Sequence, residues 1–273
     1  PTPEGWEITT ANSTYKAHNV VIATGSNPKI WQLLANLGHT IISPVPSLFT
    51  FNTATQWAKE LSGIAVNASV RLLSQDGKSL KIAETAPILF THNGFSGPAV
   101  LRASAWGARV LAECNYQCLM EVNFTAHNNE ALTYDETLLL LQDYKQHNGR
   151  KSMQNLALFD LPKRLWNALL DSAGIAPAQS WAELNKSQLR HLAEILTQCR
   201  FPIEGKATFK DEFVTAGGVK LSEINFKTYE SKLHPHLYLA GEVLDIDAIT
   251  GGFNFQNAWT GGYIIAENFL KTL

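Results

Sequence analysis

The run LYLAGEVLDIDAITGGFNFQNAWTGGYIIAENFL, Leu237 to Leu270, constrains this chain more than any other stretch. An apolar strand leads into Gly241–Glu242, acids follow at Asp245 and Asp247, and the pair Gly251–Gly252 opens a long amphipathic helix. That order describes a βα unit, and in open α/β sheets ligands sit at the carboxyl ends of such strands. Glu242 and Asp245 suit hydroxyl groups. The glycines let the backbone bend toward a ligand, and Phe253 and Asn254 start a helix whose unpaired N–H groups and dipole favour negative charge. Together these groups suit a cofactor with a polyol chain and an electron-poor ring. The plainer reading is a glycine-rich turn capping an ordinary helix. No GxGxxG, nor even GxG, occurs in the 273 residues. The expectation is the closing half of a nucleotide site without its opening half.

A second apolar strand, VVIATGS from Val20 to Ser26, ends in small residues at Thr24 and Gly25 that let backbone approach a ligand; by itself it is also an ordinary buried strand with a tight turn. Before it, Trp6, Ile8 and Thr10 alternate, Asn12–Ser13 supplies turn chemistry, and extended character resumes from Tyr15. With no Met at its start, this opening reads as a hairpin cut from a larger domain. PKIWQLLANLG is a helix with proline first and glycine last. Two prolines in IISPVPSLFTF, Ile41 to Phe51, suggest a crossing segment rather than a strand.

Strand candidates follow in SGIAVNASVRLLS, KSLKIAE, APILFTH and QCLMEVNF, interrupted by one helix, GPAVLRASAWGARVL, with Ser96 as its expected N-cap. Residues 127–198 read as helices, one opened by a capping box at Ser180 and Glu183. The pattern then returns to β, with Gly217–Gly218 expected to break ATFKDEFVTAGGVKL into two extended runs. The fold class is α/β (α+β mixed). The expected division is 1–56 with 208–273 as one domain, 57–122 with 199–207 as a β-barrel-like domain, and 123–198 as a helical insertion.

Composition narrows the function classes. Hydrophobic content of 45%, charged content of 17% and a mean hydropathy of −0.08 describe a globular protein with a sizeable core. Net charge is −2, so the expectation is no nucleic-acid partner, and no apolar run approaches bilayer length, so none in a membrane. Three cysteines, without CxxC, suggest a reducing cytoplasmic setting and no metal site. His234 and His236 flank Pro235 without a nearby ligand partner.

FTHNGFSGPAVL places Thr91 and His92 beside Gly94; His92 is a candidate acid–base catalyst, although a histidine beside a turn is more often structural. Gly217 and Gly218 are candidates for the substrate side, with a β-bulge as the alternative.

Six strings in order, VVIATGSNPK, LGHTIISPVPSLFTF, ILFTHNGFSGPAVL, FVTAGGVKLSEI, TYESK and LYLAGEVLDIDAITGGFNFQNAWTGG, resemble the HI0933-like flavoproteins, also described as aminoacetone oxidase-like or BaiN-type FAD-dependent oxidoreductases. The resemblance implies a partial two-dinucleotide-binding FAD domain with an inserted β-barrel-like domain and a helical domain. Thr24 and Gly25 would lie near the adenosine–pyrophosphate part of FAD, Gly241, Glu242 and Asp245 near the pyrophosphate and ribityl chain, and Gly251, Gly252, Phe253 and Asn254 at the flavin ring. Thr91, His92, Gly217 and Gly218 would face a small-molecule substrate, with NAD(P)H as a candidate reductant. Two departures stand out: the missing GxGxxG unit, and Ser26 where relatives carry a second glycine. The expectation is therefore the carboxyl-terminal portion of an FAD-dependent oxidoreductase, weak or inactive by itself. The alternative is a non-catalytic binding module derived from a flavoprotein.

Overall fold

The computed structural model describes residues 1–128, 130–207 and 214–272. Along the chain run β1 (Trp6–Thr9), β2 (Thr14–Ala17), β3 (Val20–Ile22), α1 (Pro28–Asn36), β4 (Ile41–Ser47), β5 (Phe51–Thr53), α2 (Gln56–Glu60), β6 (Ala65–Leu73), β7 (Ser79–Phe90) and β8 (Gly94–Ser96). Then come α3 (Pro98–Trp106), α4 (Ala108–Glu113), β9 (Cys118–Asn123), α5 (Tyr134–Asn148), α6 (Lys163–Ser172), α7 (Lys186–Thr197) and β10 (Cys199–Lys206). The chain closes with β11 (Val214–Val219), β12 (Ile224–Asn225), β13 (Glu230–Ser231), β14 (Leu237–Leu239) and α8 (Phe253–Thr272). Two compact units result: Pro1–Ser47 with Phe213–Leu273, and Leu48–Glu212.

The first unit holds a sheet in the order β12-β13-β14-β3. Its one parallel pair joins the chain's two ends, with Leu237, Tyr238 and Leu239 opposite Val20, Val21 and Ile22. Every residue of β14 is buried, as the unbroken apolar run requires of a covered strand. Around it, Trp31, Leu34, Val219, Val243, Leu244 and Ile265 form the core. The Trp31 indole N–H donates to the Val243 carbonyl at 2.9 Å, fixing α1 against the turn that follows β14. Asn27 caps α1, its Oδ1 accepting from Lys29 N at 3.0 Å. The expected opening hairpin forms as β1 and β2, paired from Trp6 opposite Ala17 to Thr9 opposite Thr14.

A buried polar chain ties distant segments of this unit. The His39 ring lies between Glu223 Oε2, 2.9 Å from Nδ1, and Ser231 Oγ, 3.0 Å from Nε2. Ser231 Oγ also accepts from the N–H groups of Leu233 and His234. With the imidazole only 3% exposed, no substrate reaches it, and the chain acts as a clamp rather than a catalytic relay.

The second unit is a closed six-stranded barrel, β10-β5-β8-β7-β6-β9, followed in sequence by helices between β9 and β10. Phe51, Phe90, Phe95 and Phe201 fill it, with ring centroids 4.7 Å apart for Phe95 and Phe201. One buried charge sits in the barrel wall: Glu121 lies opposite Arg71 on one neighbour and Arg200 on the other. It accepts from Arg71 Nε at 3.1 Å and from Arg200 Nε at 2.9 Å. Among the helices, Leu165, Trp166, Leu169 and Leu170 of α6 are fully buried alongside Leu192 and Leu196 of α7.

Several elements depart from expectation. IISPVPS is a strand after all, because among the described residues β4 pairs only with β11, and the other edge asks no N–H of Pro44 or Pro46. Gly217 and Gly218 do not break β11; the register shifts between Ala216 and Gly218, which is a bulge. The ATFKDEF run before them lies outside the described residues from Thr208 to Phe213. KSLKIAE and APILFTH join into the single strand β7. The N-cap of α3 is Gly97, at φ 93°, and not Ser96, which is spent in β8. The helix also divides at Gly107, where an added Cβ would stand 2.8 Å from Ile82 Cδ1. The Ser180–Glu183 box caps a 3-10 turn, Trp181–Glu183, and a second box, Asn185 with Gln188, starts α7.

Candidate cofactor site

Parallel pairing of β3 and β14 puts their carboxyl ends side by side. Ala240 N donates to Ile22 O at 3.0 Å, so Thr24–Gly25 and Gly241–Glu242 leave the sheet at the same end. Gly25 takes φ 64° and Gly241 φ 75°, left-handed conformations that turn each strand out of the sheet without side-chain strain. The chain then makes a 3-10 turn, Gly241–Val243. Glu242 is half-buried there, and loss of water holds its carboxyl above the ordinary glutamate value. Asp245 N donates to Val219 O at 3.0 Å, and Asp247 Oδ2 accepts from the buried Ser47 hydroxyl at 2.8 Å.

The loop from Ala248 to Asn254 is closed by one side chain. Asn254 Oδ1 accepts from Ala248 N at 2.9 Å and its Nδ2 donates to Ala248 O at 3.0 Å. This clasp presents Gly251 and Gly252 at φ 125° and 83°. Around Gly252 the position of a Cβ has nothing within 4 Å, so its surroundings are open space. Gln256 N donates to Gly252 O at 2.9 Å, which makes Gly252 the start of α8. The first-turn amides of Phe253, Asn254 and Phe255 therefore have no earlier carbonyl in the helix to bond. Gly261 brings α8 close to the sheet: a Cβ there would lie 2.9 Å from the Tyr229 ring and 3.2 Å from Ala240.

Gly217 and Gly218 have a packing role in the structure. A Cβ on Gly217 would stand 2.6 Å from Pro44 Cα, and one on Gly218 would stand 2.6 Å from Val243 O. The glycines let β11 lie against β4 on one side and the Gly241–Val243 turn on the other. Val219 and Leu244 form a parallel bridge at that contact. Thr91 and His92 belong to the barrel unit, on the turn between β7 and β8, where Thr91 N donates to Gly94 O at 2.8 Å and the His92 side chain is exposed. Burial pushes the thiols of Cys118 and Cys199 up to about 12, which removes both as thiolate nucleophiles near neutral pH. Among the described residues no group of three or more His, Cys, Asp or Glu is placed to hold a metal ion, and no helix is long and apolar enough to cross a membrane.

Sequence reasoning missed the aromatic face of α8. Phe255, Trp259 and Tyr263, four residues apart, are each about two-thirds exposed, with Phe255 and Trp259 stacked at 6.0 Å. The i, i+4 spacing was readable; that nothing among the described residues covers it was not.

Gly252, beside the start of α8, has open space where a Cβ would stand, and the half-buried Glu242 carboxyl follows the carboxyl end of β14; amide and carboxyl groups of these kinds suit the anionic and hydroxyl parts of FAD. Residues 45–214 match the family described as HI0933-like protein barrel and H2TH domain. This chain belongs to that family. The match covers the closed barrel and the helices α5 to α7. Among curated relatives, a ribosomal RNA dihydrouridine synthase of Haemophilus influenzae is 29% identical over 266 residues, 93% of this chain and 61% of the relative. The Escherichia coli protein of the same name is 27% identical over 97% of this chain and 64% of its own length. A 3-dehydro-bile acid delta(4,6)-reductase of Clostridium scindens is 27% identical over 96% of this chain and 64% of its own length. The chain thus spans less than two thirds of the relatives it matches.

Proposed function

We propose that the whole protein is an FAD-dependent oxidoreductase that saturates a carbon–carbon double bond conjugated to a carbonyl, drawing electrons from NAD(P)H. The observation that carries the reading is the Gly251–Gly252 loop, open above Gly252 and leading into the first-turn amides of α8. In this reading those amides hold the electron-rich edge of the ring, Glu242 accepts hydrogen bonds from cofactor hydroxyls, and Thr24–Gly25 line the diphosphate side. Bound flavin supplies two-electron chemistry that side chains lack. Thr91 and His92 are the proposed substrate-side pair, with His92 the candidate proton donor.

The names of the relatives support the bond type. Dihydrouridine is uridine with its C5–C6 bond saturated, and a delta(4,6)-reductase acts on unsaturation of a 3-dehydro steroid. Both describe alkenes conjugated to a carbonyl, which accept a hydride at the far carbon and a proton at the near one. A net charge of −2 favours a free small molecule as substrate. The ribosomal RNA named for two relatives favours a second reading, the same reduction on a uridine within RNA.

The test uses the full-length protein. Flavin absorbance in the purified protein, bleached by NADPH without oxygen and restored by a conjugated enone or by unmodified ribosomal RNA, supports the proposal and tells the two substrates apart. A colourless protein that stays apo after incubation with FAD refutes it and leaves a non-catalytic binding module. Glu242→Ala with undiminished flavin retention removes the role given to that carboxylate.

A further inference from the structure

The family resemblance puts Asn254 at the flavin ring, but its side chain is engaged elsewhere. It is half-buried between exposed neighbours, Gly251 to Phe253 before it and Phe255 after it. Its Oδ1 accepts from Ala248 N at 2.9 Å and its Nδ2 donates to Ala248 O at 3.0 Å. The side-chain amide thus takes both backbone groups of one residue, as a facing strand residue does in an antiparallel pair. Among the described residues, these two bonds are the only hydrogen bonds that Ala248, Ile249, Thr250 or Gly251 makes.

A loop held at one place takes its shape from that place. Gly251 and Gly252 sit at φ 125° and 83°, and glycine has so much freedom that its own chemistry selects neither value. Without the clasp the segment samples other conformations. The amides that open α8 then lose their fixed relation to the open space at Gly252. The residue before α8 is a glycine, so no cap side chain covers those amides.

We propose that Asn254 is a positioning residue: through the clasp it sets how tightly the flavin is held and how readily it is reduced, with no side-chain contact to the ring. The proposal rests on the flavin reading given above. The part calls for a carboxamide. Aspartate accepts from Ala248 N but turns a second oxygen on Ala248 O, alanine makes neither bond, and glutamine makes both from a stem one methylene longer. The ring gains negative charge on reduction, so first-turn amides held in place favour the reduced form over the oxidised one. Loosening the loop weakens the hold on both forms and on the reduced form more, which lowers the midpoint potential.

Asn254→Ala and Asn254→Gln in the full-length protein test this through FAD affinity, midpoint potential and hydrogen exchange at the Ala248 amide of the apo form. Alanine is expected to speed that exchange and to weaken oxidised FAD about tenfold, the scale of a net hydrogen bond. The reduced form is expected to weaken about tenfold more, a fall of about 30 mV for a two-electron couple. Glutamine recovers part of each change. An unchanged potential overturns the proposal, whether or not affinity falls, because a loop that merely loosens costs both forms alike. A lowered potential without faster exchange at Ala248 means that Asn254 acts by direct contact, and overturns positioning. A colourless wild-type protein that takes up no FAD removes the flavin reading and this proposal with it, whereas the other outcomes leave that reading standing.

Discussion

Replacing Gly218 by alanine separates packing from ligand access when it is compared with the same change at Gly252. Both residues sit at positive φ, 136° and 83°, so both variants carry the strain of a side chain in that region, about 1–2 kcal/mol. There the likeness ends. A Cβ at Gly218 would meet Val243 O at 2.6 Å, Leu244 C at 2.7 Å and Leu244 O at 2.8 Å, all backbone and all well inside ordinary contact. Relief requires β11 to move off the Gly241–Val243 turn, and overpacking of this kind adds about 1–3 kcal/mol. A Cβ at Gly252 meets nothing within 4 Å. The expected losses are about 2–5 kcal/mol for Gly218→Ala and about 1–2 kcal/mol for Gly252→Ala. Urea unfolding gives the totals, and hydrogen exchange at the amides of β11 and Gly241–Leu244 assigns them to this unit. In the full-length protein the order reverses for flavin retention, relative to stability lost, because Gly252 faces the open cradle. Equal destabilisation by the two variants would refute the steric argument.

The desolvated carboxyl of Glu242 gives a pH signature. Its folded pKa lies above the unfolded one, so the folded state holds more protons between the two values and this group's contribution falls as pH rises through that window. Glu242→Gln is therefore expected to stabilise the apo chain at neutral pH by less than about 1 kcal/mol, a figure discounted for its partial exposure. The gain should vanish below the ordinary glutamate pKa; a gain that grows on acidification contradicts it. In the barrel, the side chain of Glu121 is 4% exposed while its partners Arg71 and Arg200 are about half exposed. Removing both arginines by methionine strands a buried carboxylate and should cost about 3–5 kcal/mol, against about 1–2 for Glu121→Leu, which lets both arginines hydrate. Thermal unfolding of the two variants gives the order, and the reverse order defeats the reasoning.

What the chain disclosed in advance is what local chemistry controls. The parallel partners β3 and β14 announced themselves as apolar runs ending in glycine, and the Ser180–Glu183 box was readable from its spacing, although it caps a 3-10 turn and α7 starts at its own cap, Asn185. Prolines hid β4, because a rule about ladders cannot know that Pro44 and Pro46 lie on a strand with one free edge. Gly107 hid the break between α3 and α4, since the apolar period runs on through it and only the approach of Ile82 shows why a side chain is excluded. The candidate site divides in the same way. Gly251 and Gly252 were legible as a turn, because a glycine pair before a helix signals backbone that a side chain would strain, and both take positive φ. The clasp of Asn254 on Ala248 depends on the shape of the loop between them, and no spacing in the sequence encodes it.

The barrel unit is one unbroken stretch of chain with its ends hydrogen-bonded, Ala207 N to Thr50 O at 3.1 Å, whereas the other unit is built from the segments that flank it on either side. On a ribosome this fixes an order of events. Every strand of the barrel is synthesised before β11 and β14, and its contacts span shorter stretches of chain, so the barrel is expected to close before β3 and β4 meet partners about two hundred residues away. Once closed, it shortens that wait: the loop joining β4 to β11 is then a folded body with adjacent ends rather than a slack chain, and most of the closure entropy is already spent. Mutations that slow the barrel should therefore delay assembly of the sheet that carries Glu242, although none of them touches it.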